Sequence, residues 1–176
     1  MNIETERLIL RTPRVEDAES MHALWHSEFV GKYNVLTPMS VEEMREKLIK
    51  DAERGENVHL VLKSTGQVIG MIGVEEDSLR WQADSVMLDY FLGQEYARKG
   101  YMTEALRELI THIFATKPVE IITVRVFADN AASVALMEKL GFVHEGTLRH
   151  AVRSPDGVLH HDRLYSLLRQ EWEKRG

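Results

Sequence analysis

Tyr96-Ala97-Arg98-Lys99-Gly100-Tyr101-Met102-Thr103-Glu104-Ala105 decides how this chain folds, because two kinds of periodicity meet there. Before it, Ser85 to Leu92 reads as a strand that empties into a polar turn, Gly93 to Lys99. After it, from Thr103, the residues Ala105, Leu106, Leu109, Ile110, Ile113 and Phe114 recur at helical spacing until Pro118 ends the run. Ile121 to Phe127 follows, β-branched and apolar on both faces as a central strand is. Strand, helix and strand in this order predict a right-handed crossover between parallel strands. The turn itself combines a glycine, two basic residues and a helix N-terminus. Free backbone N–H groups and the positive end of the helix dipole make an anion site there. Gly100 permits close approach or an unusual φ, and Arg98 and Lys99 add charge. An ordinary solvated turn before a helix is the plainer alternative on these residues alone.

Working outward, Arg7 to Thr12 alternates like a strand and Pro13 stops it. Val15, Ala18, Met21 and Trp25 recur at helical spacing. Ser40 reads as an N-cap with Glu43 completing a capping box, ahead of a helix with Val41, Met44, Leu48 and Ala52 on one side. Val58 to Lys63 and Val68 to Val74 read as strands joined by a turn at Thr65-Gly66. Asp129-Asn130 cap a short helix, Ala131 to Leu140, that closes at Gly141. Phe142 to Arg149 and Val158 to Leu168 are strand-like and flank the turn signal Ser154-Pro155-Asp156-Gly157. No repeat or Pro/Gly/Ser-rich linker interrupts residues 1–176, so the expectation is a single domain. The class is α/β (α+β), with a mixed central sheet of about seven strands and helices on both faces.

Composition narrows the chemistry. Over 176 residues, 44% hydrophobic and 28% charged is the balance of a soluble globular protein. No apolar run approaches the roughly 20 residues needed to cross a bilayer. The opening Met1-Asn2-Ile3-Glu4-Thr5-Glu6 carries acids where a signal peptide carries basic residues, so the expected location is cytoplasmic, with no membrane association. The absence of cysteine excludes disulfides, thiolate metal sites and a Cys nucleophile. A net charge of −6 argues against nucleic acid as a partner and mildly favours cationic ones such as amines. His160-His161-Asp162 suggests metal ligation, but adjacent strand residues point to opposite faces, so no metal is expected.

The turn contains neither GxxxxGK[ST] nor GxGxxG, which removes most support for kinase and hydride-transfer chemistry. Gln94 to Ala105 instead resembles the pyrophosphate loop of the GNAT N-acetyltransferases, Q/R-x-x-G-x-G/A. Gly100 matches its central glycine, while Ala97 and Met102 replace the outer residues. A second block, Asp129-Asn130-Ala131-Ala132-Ser133-Val134-Ala135-Leu136-Met137-Glu138-Lys139-Leu140-Gly141-Phe142, is close to the family's N-x-x-S…EKLGF signature. Thr5-Glu6-Arg7-Leu8-Ile9-Leu10-Arg11 and Asp162…Glu171-Trp172 look like the ribosomal-protein N-acetyltransferase (Rim-type) branch. The resemblance runs from about Glu6 to Trp172 in order.

That resemblance implies the GNAT acyl-CoA N-acyltransferase fold, whose fourth and fifth strands, here Val86 to Leu92 and Ile121 to Phe127, splay apart around the pantetheine arm of acetyl-CoA. It implies that Arg98, Lys99, Gly100, Tyr101, Met102 and Thr103 hold the pyrophosphate, and that the backbone at Phe91 and Leu92 faces the thioester, where an N–H stabilises its developing oxyanion. An amine acceptor attacks directly, and rate comes largely from holding two substrates in line. Asn130 would bond the pantetheine amides, or simply cap its helix. Where many members place a tyrosine proton donor, this chain has Met137, and in the Rim-type branch the serine takes that role, here Ser133. No general base is identifiable: Met87 occupies the usual acid's place, and Glu75, Asp89, His144 and Glu145 are candidates only. The acceptor is a protein N-terminus or a small amine such as a polyamine or antibiotic, a non-catalytic acyl-CoA sensor is the further alternative, and a homodimer stays open.

Overall fold

In the computed structural model, which describes residues 1–55 and 57–175, the alternating run near the N-terminus becomes strand β2 (Leu8–Arg11), with Leu8 and Leu10 buried. A short strand not anticipated from sequence, β1 (Asn2–Glu4), pairs antiparallel with it from Asn2–Arg11 to Glu4–Ile9. The chain divides into two compact units, residues 1–74 with 90–109, and residues 75–89 with 110–176.

In the first unit, β2 pairs antiparallel with β3 (Asn57–Leu62), and β3 with β4 (Val68–Glu76). Thr65-Gly66 turns the β3–β4 hairpin as expected, Gly66 adopting φ +73°. Helix α1 (Ala18–Trp25), a single turn α2 (Glu28–Gly31) and helix α3 (Val41–Arg54) supply Ala18, Met21, Val30, Met44 and Leu48 to a core with Val61, Val68, Met71 and Phe91. The capping box is present: Glu43 N–H donates to Ser40 Oγ, and Ser40 N–H to the Glu43 carboxylate at 2.7 Å.

In the second unit, the first residues of β5 (Ser85–Leu92) pair parallel with β6 (Ile121–Phe127). β6 pairs antiparallel with β8 (Leu159–Leu168), and β8 with β7 (Val143–Arg153). The sheet is therefore mixed, and among the described residues β1 raises the strand count to eight. Helix α4 (Tyr101–Thr116), which belongs to the first unit as far as Leu109, starts two residues before the expected Thr103, and α5 (Ala131–Leu140) closes at Gly141 with φ +78°. A last turn, α6 (Arg169–Glu173), follows β8. Among the described residues, no helix is long and apolar enough to cross a membrane.

One buried polar cluster braces the first unit. Arg11 donates to both oxygens of Asp17 at 2.7 Å, and His59 Nδ1 lies 2.7 Å from the same carboxylate. Burial pushes the Asp17 carboxyl up, but the bonds from Arg11 and His59 prevail and hold it well below the usual range. Because the folded value is depressed, its stabilisation is complete above the unfolded value, about 3.9, and fades as pH falls through the folded one. Asp17→Asn should cost about 2 kcal/mol at neutral pH, the scale for leaving a buried partner unsatisfied. Urea midpoints should converge for the two proteins as pH drops below about 4; a constant gap would assign the effect to packing.

Candidate active site

The turn leading into α4 lies in the first unit and is built by two left-handed residues. Gly93 N–H donates to Ile69 O, a short 3-10 turn follows at Gln94–Tyr96, and Ala97 N–H donates back to Gln94 O. Arg98 then takes φ +59° and Gly100 φ +83°. The sequence anticipates the glycine; the left-handed arginine is a surprise, costing about 1–2 kcal/mol at a residue with a Cβ. These two reversals stop the chain abruptly and begin α4 at Tyr101, whose first-turn N–H groups have no intrahelical acceptor. A phosphate group fits this turn: a Cβ on Gly100 would meet only the Arg7 Nη2 atom within 4 Å, at 3.3 Å.

Not every expected residue can contribute in the same way. Arg98, Lys99 and Gly100 are exposed, and Tyr101 and Thr103 half-buried. Phe91 and Met102 bury their side chains, Phe91 edge-on to Trp25, so only their backbone can face a ligand.

Two residues packed against these positions went unassigned in the sequence. Glu104, in the first turn of α4, accepts from Thr5 Oγ at 2.5 Å, from the Arg7 N–H at 2.8 Å and from Arg7 Nε at 2.7 Å. Burial pushes the Glu104 carboxyl up, yet these bonds win and hold it below its ordinary value. Arg7 in turn donates from Nη1 to Lys99 O and lies over the Tyr101 ring. The partners are 97 positions apart, a pairing that one sequence does not display. The other is Gly70 in β4, where a Cβ would stand 2.4 Å from Phe91 O and 3.1 Å from Leu92 Cα. A glycine inside an apolar strand was the available signal for so close an approach.

Asn130 and Ser133 lie in the second unit. Asn130 does cap α5, its Oδ1 accepting from the Ser133 N–H at 3.2 Å, which leaves its amide N–H groups to donate elsewhere. Ser133 is half-buried. The β5–β6 pairing covers Ser85–Ile121 to Leu88–Val124, while Arg125 to Phe127 continue against β8. Of the candidate bases, Glu145 accepts both Arg80 at 2.8 Å and Ser166 Oγ at 2.6 Å, His144 tilts against Tyr165, and Glu75 and Asp89 are exposed. His160 stacks on Phe127 and His161 on His150, so the two rings have different partners.

The acetyltransferase (GNAT) domain family matches residues 7–143. Over 177 residues the chain is 30% identical to the uncharacterized N-acetyltransferase p20 of Bacillus licheniformis, covering 96% of each. It is 30% identical to "Putative ribosomal N-acetyltransferase YdaF" of Bacillus subtilis (strain 168), covering 96% of this chain and 94% of that one. Among solved structures, RimL, a ribosomal L7/L12 alpha-N-protein acetyltransferase in complex with coenzyme A, superposes with a TM-score of 0.81 at 20% identity, over 96% of this chain and 98% of RimL.

Proposed function

Since the chain belongs to the GNAT acetyltransferase family and is an acetyl-CoA-dependent enzyme, we propose that it acetylates a primary amine directly and that this amine is the α-amine of a protein N-terminus. The observation that carries the cofactor half is the turn at Ala97–Glu104, with left-handed Arg98 and Gly100 opening onto the N-terminus of α4. Acetyl-CoA supplies an activated acetyl thioester and a thiol leaving group. In this reading Arg98 to Thr103 hold the pyrophosphate through backbone N–H groups and charge. The Leu92 N–H points at the carbonyl oxygen, Asn130 orients the pantetheine amides, and Ser133 Oγ delivers the proton to the departing sulfur.

The acceptor half rests on proton chemistry and on kinship. Glu145 is committed to Arg80 and Ser166, and Glu75 and Asp89 are exposed, so none of these three candidate carboxylates is a desolvated, strong base. An α-amine of pKa about 7.7–8.0 is substantially neutral near pH 7.5, whereas only about one lysine amine in a thousand is. The names of YdaF and RimL point the same way.

Thiol release from acetyl-CoA should appear with peptides carrying a free N-terminus and vanish when that terminus is blocked, even if an internal lysine remains. Turnover with polyamines and not with peptides would overturn the acceptor assignment. Ser133→Ala should lower kcat about 10- to 100-fold with KM for acetyl-CoA within twofold. An unchanged kcat would leave Ser133 as part of the helix start alone.

A further inference from the structure

We infer that Arg7 is a phosphate-binding residue of the cofactor site, aimed by Glu104 and contributed from outside the loop that forms the rest of it. The inference rests on the placement of the coenzyme A pyrophosphate at Arg98–Thr103. A guanidinium carries five N–H donors in a planar fork. In Arg7, Nε is held by Glu104 Oε2 at 2.7 Å, and one Nη1 proton goes to Lys99 O at 2.9 Å. Nη2 lies 3.3 Å from where a side chain on Gly100 would begin, and the bonds that fix the group run from Nε and Nη1. The ring of Tyr101, 4.3 Å from Cζ, supports the guanidinium from one side. The side chain is thus fixed at three points while Nη2 stands beside Gly100.

This arrangement differs in kind from Arg98 and Lys99, which are exposed and must be ordered when a ligand arrives. Arg7 is ordered already, because Glu104 is itself fixed by Thr5 Oγ and the Arg7 backbone N–H. Both Glu104 oxygens are occupied by these donors, so the carboxylate serves to orient the guanidinium. Glu104 is accordingly a positioning residue, and Arg7 the residue that touches the ligand.

The test compares acetyl-CoA with S-acetylpantetheine, which has the same thioester and arm but no phosphates, in the full-length protein. For Arg7→Gln, KM for acetyl-CoA should rise about tenfold or more, with kcat held and KM for S-acetylpantetheine unchanged. Direct contact with phosphate also predicts that coenzyme A affinity falls less steeply with added salt in Arg7→Gln than in wild type. Arg7→Lys, which keeps the charge but cannot hold Glu104, Lys99 O and a phosphate together, should recover the salt dependence and only part of the affinity. Equal loss for both donors would overturn the inference, as would a selective loss with an unaltered salt slope, since a brace acting only on the loop would produce that. A wild type that does not prefer acetyl-CoA over S-acetylpantetheine would instead sink the placement of the pyrophosphate, a result read before any variant is made.

Discussion

Gly100→Glu should weaken acetyl-CoA binding more than 100-fold while the protein remains folded. Gly100 sits at φ +83°, where any residue with a Cβ is strained by about 1–2 kcal/mol. Space is not the obstacle, because only Arg7 Nη2 lies within 4 Å of the added Cβ, at 3.3 Å. The decisive effect is charge. A carboxylate there would pair with the Arg7 guanidinium and stand where the pyrophosphate is proposed to bind, repelling one anion while spending the donor meant for it. Gly100→Ala separates the contributions: it carries the strain without the charge and should cost about tenfold or less. Calorimetric titration with acetyl-CoA measures both variants, and a melting temperature confirms the fold. Binding of Gly100→Glu within twofold of wild type would remove the cofactor from this turn.

Features whose cause is local could be read from the chain beforehand. Ser40 and Glu43 form their capping box because both partners lie within one helical turn, and Gly100 and Gly141 take positive φ because the backbone must reverse beside them. Helices α1, α3 and α4 followed from apolar period, since burial on a helix face repeats every 3.6 residues whatever lies across from it, and β6 from its unbroken β-branched run, whereas α2 and α6 are too short to display a period and were not anticipated. β1 escaped because three residues, Asn2, Ile3 and Glu4, are too short a run to display a period; they are a strand only because β2 offers an edge. Asp17–His59–Arg11 and Arg7–Glu104 escaped for a different reason. Each needs a partner delivered by the fold from 42 or 97 positions away, and a lone charged residue looks the same whether solvated or paired. Arg98 is a third kind of miss, a residue made left-handed by the turn it occupies, against its own preference. The GNAT signature residues were legible, but what aims them was not.

Gly70→Ala is expected to lower kcat about 100-fold from a position that touches neither substrate. β4 passes so close to the end of β5 that an alanine Cβ at residue 70 would lie 2.4 Å from Phe91 O, with Leu92 Cα and Cδ1 both at 3.1 Å. A flexible side-chain end could move aside at little cost; a carbonyl oxygen inside a strand moves only with its peptide planes. The backbone at Phe91 and Leu92 would shift, and the Leu92 N–H is the donor proposed to face the developing oxyanion. Displacing a preorganised donor by as much as 1 Å is worth about two orders of magnitude in rate, whereas Arg98 to Thr103, beyond the Gln94–Tyr96 turn, should be less disturbed. KM for acetyl-CoA should therefore change less than kcat. Overpacking should also cost about 1–3 kcal/mol of stability, so a control must be destabilised without moving that backbone. Ile69→Val serves: Ile69 is fully buried beside the same contact, and its truncation costs about 0.5–1.5 kcal/mol. Assayed where both variants are folded, Ile69→Val should retain near-wild-type kcat and Gly70→Ala should not. Equal activities would mean that the β4 approach is structural only, and that the oxyanion donor lies elsewhere than Leu92.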